Sequence, residues 1–121
     1  MVLDTNILID YLKGDEVVIE TVRQWFADGI GLFISAVTYA EVLAFKGASE
    51  TELQEMRQFL ENFVLIPVDK AVAERIAAVR RENKIKFPDA AIIATALFTM
   101  SSLVTRDKRL HKMRNLTVIS I

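Results

Sequence analysis

Residues Asp89 to Met100 would put apolar side chains on nearly every face of a helix, which narrows the choice of fold more than any other stretch of the chain. A helix without a polar side has no face to give to water, so other elements must cover it on several sides. Pro88, just ahead of it, suits the first turn of such a helix, where a missing N–H costs nothing.

Short apolar runs are available to cover it. Val2-Leu3, Gly31-Leu32-Phe33-Ile34, Val64-Leu65-Ile66-Pro67-Val68, Ser102-Leu103-Val104-Thr105 and Thr117-Val118-Ile119-Ser120-Ile121 read as strands, with Pro67 marking a strand end or a sheet edge. Helical stripes separate them. An apolar run follows Asp4, with Thr5 or Asn6 as its N-cap, and Lys13-Gly14 stops it. Asp15 then caps a helix that buries Val18, Val22, Trp25 and Phe26 and ends at Gly29. Ser35 caps a helix carrying Thr38 and Glu41, which Gly47 closes. Ser49-Glu50-Thr51-Glu52 is a capping box that opens a helix with Leu53, Met56, Phe59, Leu60 and Phe63 inward. Asp69 caps another, with an inner face of Val72, Ala73, Ile76, Ala77 and Val79.

Continuous apolar strands alternating with helices predict an α/β fold. The expectation is a three-layer α/β/α sandwich around a central, mostly parallel sheet of four to five strands, with residues 1–121 as a single domain.

Composition removes several classes of chemistry. There is no cysteine, which excludes disulfides and thiolate metal sites, and the one histidine, His111, cannot build an imidazole-rich zinc site. No apolar run is long enough to span a bilayer and no signal peptide is visible, so a cytoplasmic protein with no membrane partner is expected. Fifteen basic and sixteen acidic residues leave a net charge of −1, so any nucleic-acid contact must come from a local patch. A mean hydropathy of +0.30 is high for a small domain and points to a subunit or partner interface besides the core.

The carboxyl ends of parallel strands share one edge of the sheet, beside the N-termini of the helices that follow. Asp4 ends the first strand, Asp107 follows the fourth, Asp89 lies in the first turn of the apolar helix, and Glu41 can reach back from its own helix. Four acids can therefore meet there. Each has a plainer explanation to be weighed: an acid at a helix start, as at Asp89 and Asp107, complements the dipole for about 0.3–1 kcal/mol each. Thr38 and Glu41 could form a late capping box. Asp4 is harder to explain away, since a buried strand seldom ends on an acid for packing reasons. Glu41 falls among Val37, Ala40, Val42 and Leu43, where an acid needs a partner or a cation. Converging carboxylates repel unless a cation lies between them, and an all-oxygen set suits Mg²⁺ or Mn²⁺. Thr5, Asn6 and Thr105 could support such a site.

Asp4-Thr5-Asn6, Ser35-Ala36-Val37-Thr38-Tyr39-Ala40-Glu41, Pro88-Asp89-Ala90-Ala91-Ile92-Ile93-Ala94-Thr95-Ala96 and Leu103-Val104-Thr105-Arg106-Asp107, in this order, resemble the PIN-domain ribonucleases. Within that family the chain is most similar to the VapC toxins of toxin–antitoxin pairs, over essentially its whole length. The resemblance implies a metal-dependent endoribonuclease acting on single-stranded RNA, with Asp4, Glu41, Asp89 and Asp107 as catalytic, metal-binding acids and Mg²⁺ or Mn²⁺ as cofactor. It also implies a VapB-like antitoxin partner and a homodimer. One departure is visible: many relatives follow the last acid with an acidic residue and phenylalanine, whereas here Asp107 is followed by Lys108-Arg109-Leu110.

Two basic segments bracket the later acids: Arg80, Arg81, Lys84 and Lys86, then Arg106, Lys108, Arg109, His111, Lys112 and Arg114. The first reads as a solvated face and the second as better placed for phosphate contact. A haloacid-dehalogenase-type phosphatase would need a second Asp where Asn6 stands, and a receiver domain would need adjacent early acids and a lysine. The remaining alternative is a PIN-like domain that binds RNA or protein without cutting, which would be expected to lose these acids.

Overall fold

The computed structural model describes residues 1–121. In chain order the elements are β1 (Val2–Leu3), α1 (Thr5–Leu12), α2 (Glu16–Ala27), β2 (Phe33–Ser35), α3 (Ala36–Leu43), α4 (Glu50–Leu60), β3 (Val64–Ile66), α5 (Lys70–Glu82), α6 (Phe87–Phe98), β4 (Leu103–Val104), a 3₁₀ turn (Lys108–Lys112) and β5 (Val118–Ile119). The five strands form one sheet in the order β3-β2-β1-β4-β5, and every pairing is parallel. The expected α/β/α sandwich is present, with a sheet that is wholly parallel.

Alternation along the short strands divides the core into two clusters. Val2 and Leu103 face one side, under Val72, Ile76 and Val79 of α5 and the buried run Ala90–Ala96 of α6. Leu3 and Val104 face the other, under Ile7 and Leu8 of α1, Val18 and Val22 of α2, Val42 of α3 and Leu60 of α4. Seven consecutive buried residues in α6 match the all-round apolar character of its middle, but the helix ends at Phe98, short of the expected Met100, and both of those side chains are exposed.

Several local readings hold: Asp15, Ser35 and Asp69 accept N-cap hydrogen bonds, and Ser49 with Glu52 closes the capping box. Pro67 follows the edge strand β3. Others shift. Asp4, not Thr5 or Asn6, occupies the N-cap position of α1, and its carboxylate makes no cap bond. α3 ends at Leu43, before Gly47, whose φ of +85° instead serves the following loop. Ala73 and Ala77 are exposed, since each lies one residue round the helix from the buried stripe of Val72, Ile76 and Val79.

Candidate active site

β1 lies at the centre of the sheet. From it the chain runs to β2 and β3 on one side, while β4 and β5 lie on the other. The crevice where strand order reverses is where open parallel sheets receive ligands. Here it falls at the carboxyl ends of β1 and β4, the positions of Asp4 and Thr105. Their backbones are locked into the ladder: the Asp4 N–H donates to Val104 O at 3.0 Å, and the Thr105 N–H donates to Ile119 O at 3.0 Å.

Asp4 is 4% exposed and Thr105 is fully buried. The Thr105 hydroxyl donates to Asp4 Oδ2 at 2.7 Å and accepts from the Asp107 N–H at 3.0 Å. One hydroxyl thus fixes the first acid and the loop bearing the last. Burial pushes the Asp4 carboxyl above its ordinary range, opposed by the Thr105 hydrogen bond. The negative charge of Asp89 adds to the upward push, and the N–H groups of Thr5 and Asn6 oppose it. Asp4 and Asp89 therefore share one electrostatic neighbourhood.

Asp89 arrives from the first turn of α6 and is partly buried. Asp107 caps the 3₁₀ turn through the Arg109 N–H at 3.0 Å. The Arg109 side chain holds the Asp107 carboxyl below the usual range, and Arg109 feels the charges of Asp107, Asp89 and Asp4 in that order. Its guanidinium is forked on Asp107, with Nε 3.0 and 3.1 Å from the two carboxylate oxygens, and Nη2 stands 3.6 Å from Asp89 Oδ2.

Glu41 joins from the opposite side through a hydroxyl relay. Thr5 Oγ1 is 2.8 Å from Glu41 Oε1 and 3.0 Å from Thr38 Oγ1. A hydroxyl has one proton, so with Thr5 donating to the carboxylate, the Thr38 hydroxyl donates to Thr5. Thr38 is fully buried, whereas Glu41 is exposed. The partner expected for Glu41 exists, but its cause is not burial of the acid. Asn6 is also exposed, with no side-chain hydrogen bond, so it reaches Asp4 only through its backbone.

The structure thus links Asp89 and Asp107 through Arg109, leaves Asp4 near enough for its charge to be felt by Arg109, and attaches Glu41 to Thr5, the residue after Asp4. The donor set is all oxygen and carries excess negative charge, which fits a hard divalent cation. No three acidic side chains stand close enough to one another to enclose an ion as they are placed here.

Sequence reasoning missed three supporting residues. Thr38 looked like a cap residue, yet its hydroxyl backs Thr5. Arg106 pairs with Asp10 at 3.1 Å and Asp15 at 2.8 Å, and its Nε donates to Ile121 O at 2.9 Å, so it staples α1, α2 and the C-terminal residue beside Thr105. Arg109 reaches Asp89 across elements, which no spacing in the chain signals. His111 is exposed, as expected of a surface residue.

The PIN domain family profile matches residues 1–116. Among solved structures, a chain of a toxin–antitoxin complex from Klebsiella pneumoniae is 34% identical, with 98% of this chain and 94% of that chain covered and a TM-score of 0.83. A chain of VapBC2 from Rickettsia felis, bound to a DNA fragment from its promoter, is 20% identical over 99% and 97%, with a TM-score of 0.86. A chain of VapBC-1 from nontypeable Haemophilus influenzae is 22% identical over 98% and 96%, with a TM-score of 0.82. No curated protein matches the chain significantly. The chain belongs to the PIN domain family, and its wholly parallel sheet with acids placed near the switch point agrees with that membership. Within it, the 34% identity is to a chain of a toxin–antitoxin complex.

Proposed function

We propose that residues 1–121 act as one PIN domain, a cytoplasmic endoribonuclease that hydrolyses single-stranded RNA phosphodiesters and serves as the toxin of a VapBC-type pair. The observation that carries this reading is the acid cluster at the strand-order reversal, centred on buried Asp4. Asp4, Glu41, Asp89 and Asp107 would hold Mg²⁺ or Mn²⁺. Such an ion, when bound, supplies positive charge beside the transferring phosphate and activates water as the nucleophile.

The protein's own residues prepare that chemistry. The Thr105 hydroxyl bonds Asp4 and ties it to the Asp107 loop, so that two acids that follow different strands are held by one group. Thr5, backed by Thr38, aims Glu41 toward the same edge. The Arg106 staple holds that loop against α1 and α2. Lys108, His111, Lys112 and Arg114 are at least partly exposed around Asp107, where phosphate contacts would orient an RNA strand.

A VapB-like antitoxin and a second copy of the chain are the proposed protein partners. The rim of the core between α1, α2 and α4 supports this: Tyr11 stacks on Phe59 at 4.6 Å, and Phe26 and Phe59 each lie 5.3 Å from the buried Phe63. Of these rings only Phe63 is buried, while Phe26 is 37% exposed. Half-buried aromatics of this kind suit a partner segment.

Induced expression of the chain alone should arrest growth of a bacterial host, and co-expression of the antitoxin encoded beside it should restore growth. Arrest that persists in Asp4→Asn would contradict the nuclease reading. A non-catalytic binding domain would give no arrest dependent on these acids.

A further inference from the structure

We propose that Arg109 is the built-in counter-cation of the acid cluster: it holds Asp107 and Asp89 in the metal-free protein and is displaced from them when a divalent ion binds. This inference rests on the reading of that cluster as a metal site.

The contact to Asp107 alone would be ordinary, a residue near a 3₁₀ start pairing with its own cap. The geometry goes further. Nε faces both carboxylate oxygens of Asp107 at 3.0 and 3.1 Å, and Nη2 also bonds Oδ2. The same Nη2 lies 3.6 Å from Asp89 on α6, an acid to which the 3₁₀ turn has no local need to reach. One planar cation thus bridges two carboxylates from separate elements, beside a third that is buried. Repelling carboxylates need positive charge among them, and Arg109 is the group that supplies it here.

The arrangement is also poorly suited to holding an ion at the same time. The fork draws the Asp107 carboxylate toward the guanidinium, and no three acids gather as they stand. A divalent ion shared by Asp107 and Asp89 would sit within a few ångströms of a like charge. Leaving is easy for Arg109, whose side chain is 75% exposed while those of Asp107 and Asp89 are 20% and 25% exposed. Its departure opens no core. The ion pair and the ion therefore compete for the same oxygens, and the free guanidinium is left beside the site with its donors unpaired.

The test is Mn²⁺ titration of the full chain, wild type against Arg109→Gln, followed by the electron paramagnetic resonance signal of free Mn²⁺. Folding of each variant is checked by circular dichroism. Removing a unit charge at this range should tighten Mn²⁺ binding by about three- to tenfold at low salt, less at high salt. Arg109→Lys, which keeps the charge but loses the fork, should fall between the two. Unchanged or weaker Mn²⁺ binding in Arg109→Gln, with wild-type binding intact, overturns the role of Arg109 and leaves the metal site standing. Absence of Mn²⁺ binding in both proteins overturns the metal site and this inference with it. A second readout follows the displacement itself: in ¹⁵N-labelled wild type, saturating Mg²⁺ should move the Arg109 Nε–Hε resonance to the position of an unpaired arginine. A resonance that stays where it was at saturation also overturns the proposal.

Discussion

The Thr105 hydroxyl donates to Asp4 at 2.7 Å, joining residues 101 positions apart in sequence at the ends of adjacent strands. Because it also accepts from the Asp107 N–H, its loss strands two polar groups at once. Thr105→Val, nearly isosteric, should cost about 1–3 kcal/mol in urea denaturation and reduce RNA cleavage by about 10–100-fold. Thr105→Ser should restore most of both.

The raised pKa of Asp4 makes a prediction with a definite sign. Its folded pKa lies above the unfolded value, so the contribution to stability is full below the unfolded value, near 3.8, and is lost as pH rises through the folded pKa. At neutral pH the ionised carboxylate is a burden on the metal-free fold. Asp4→Asn should therefore be more stable than wild type at pH 7, by on the order of 1 kcal/mol. That gain should shrink as pH falls through the folded pKa and be gone below about 3.8, which urea midpoints across pH would show.

Arg106 behaves in the opposite sense. It holds the Asp15 carboxyl below its usual range, so the stability from that pair is present above the ordinary carboxylate value and is lost as pH falls through the lowered one. Arg106→Gln should lower the urea midpoint at pH 7, and its deficit should narrow in strong acid as the Asp15 pair is lost in both proteins. Arg106→Lys should not rescue it, since one ammonium cannot reproduce bonds to Asp10, Asp15 and the Ile121 carbonyl.

The buried run of α6 gives a packing prediction. Ala94 is fully buried in the cluster between α6, α5 and the sheet. Ala94→Leu should overpack it and cost about 1–3 kcal/mol, read as a lower urea midpoint.

Much of this architecture is legible in the chain because each cue is local. Asp15, Ser35, Ser49 and Asp69 announce helices by capping chemistry, and the apolar run after Pro88 announces a buried one. The topology then follows from strands alternating with helices. It places Asp4 and Asp107 at one edge before any coordinate is known. What could not be read were relationships set by packing across the sheet. Glu41 looked buried by its neighbours in sequence, yet α3 turns it outward onto Thr5. The pairing of Asp10 with Arg106, 96 positions away, has no local cue either. The bridge from Arg109 to Asp89 likewise exists only because the 3₁₀ turn folds back over the N-terminus of α6.

The central claim is that the acids at the end of β1 and around it form the metal site of a ribonuclease. It is tested most directly by incubating the purified chain with single-stranded RNA in Mg²⁺ or Mn²⁺, in EDTA, and with Asp4→Asn in place of wild type. Cleavage should occur with the wild type and metal, stop in EDTA, and fall by at least about a hundredfold in Asp4→Asn. Cleavage that continues under chelation, or that Asp4→Asn leaves intact, would contradict the account.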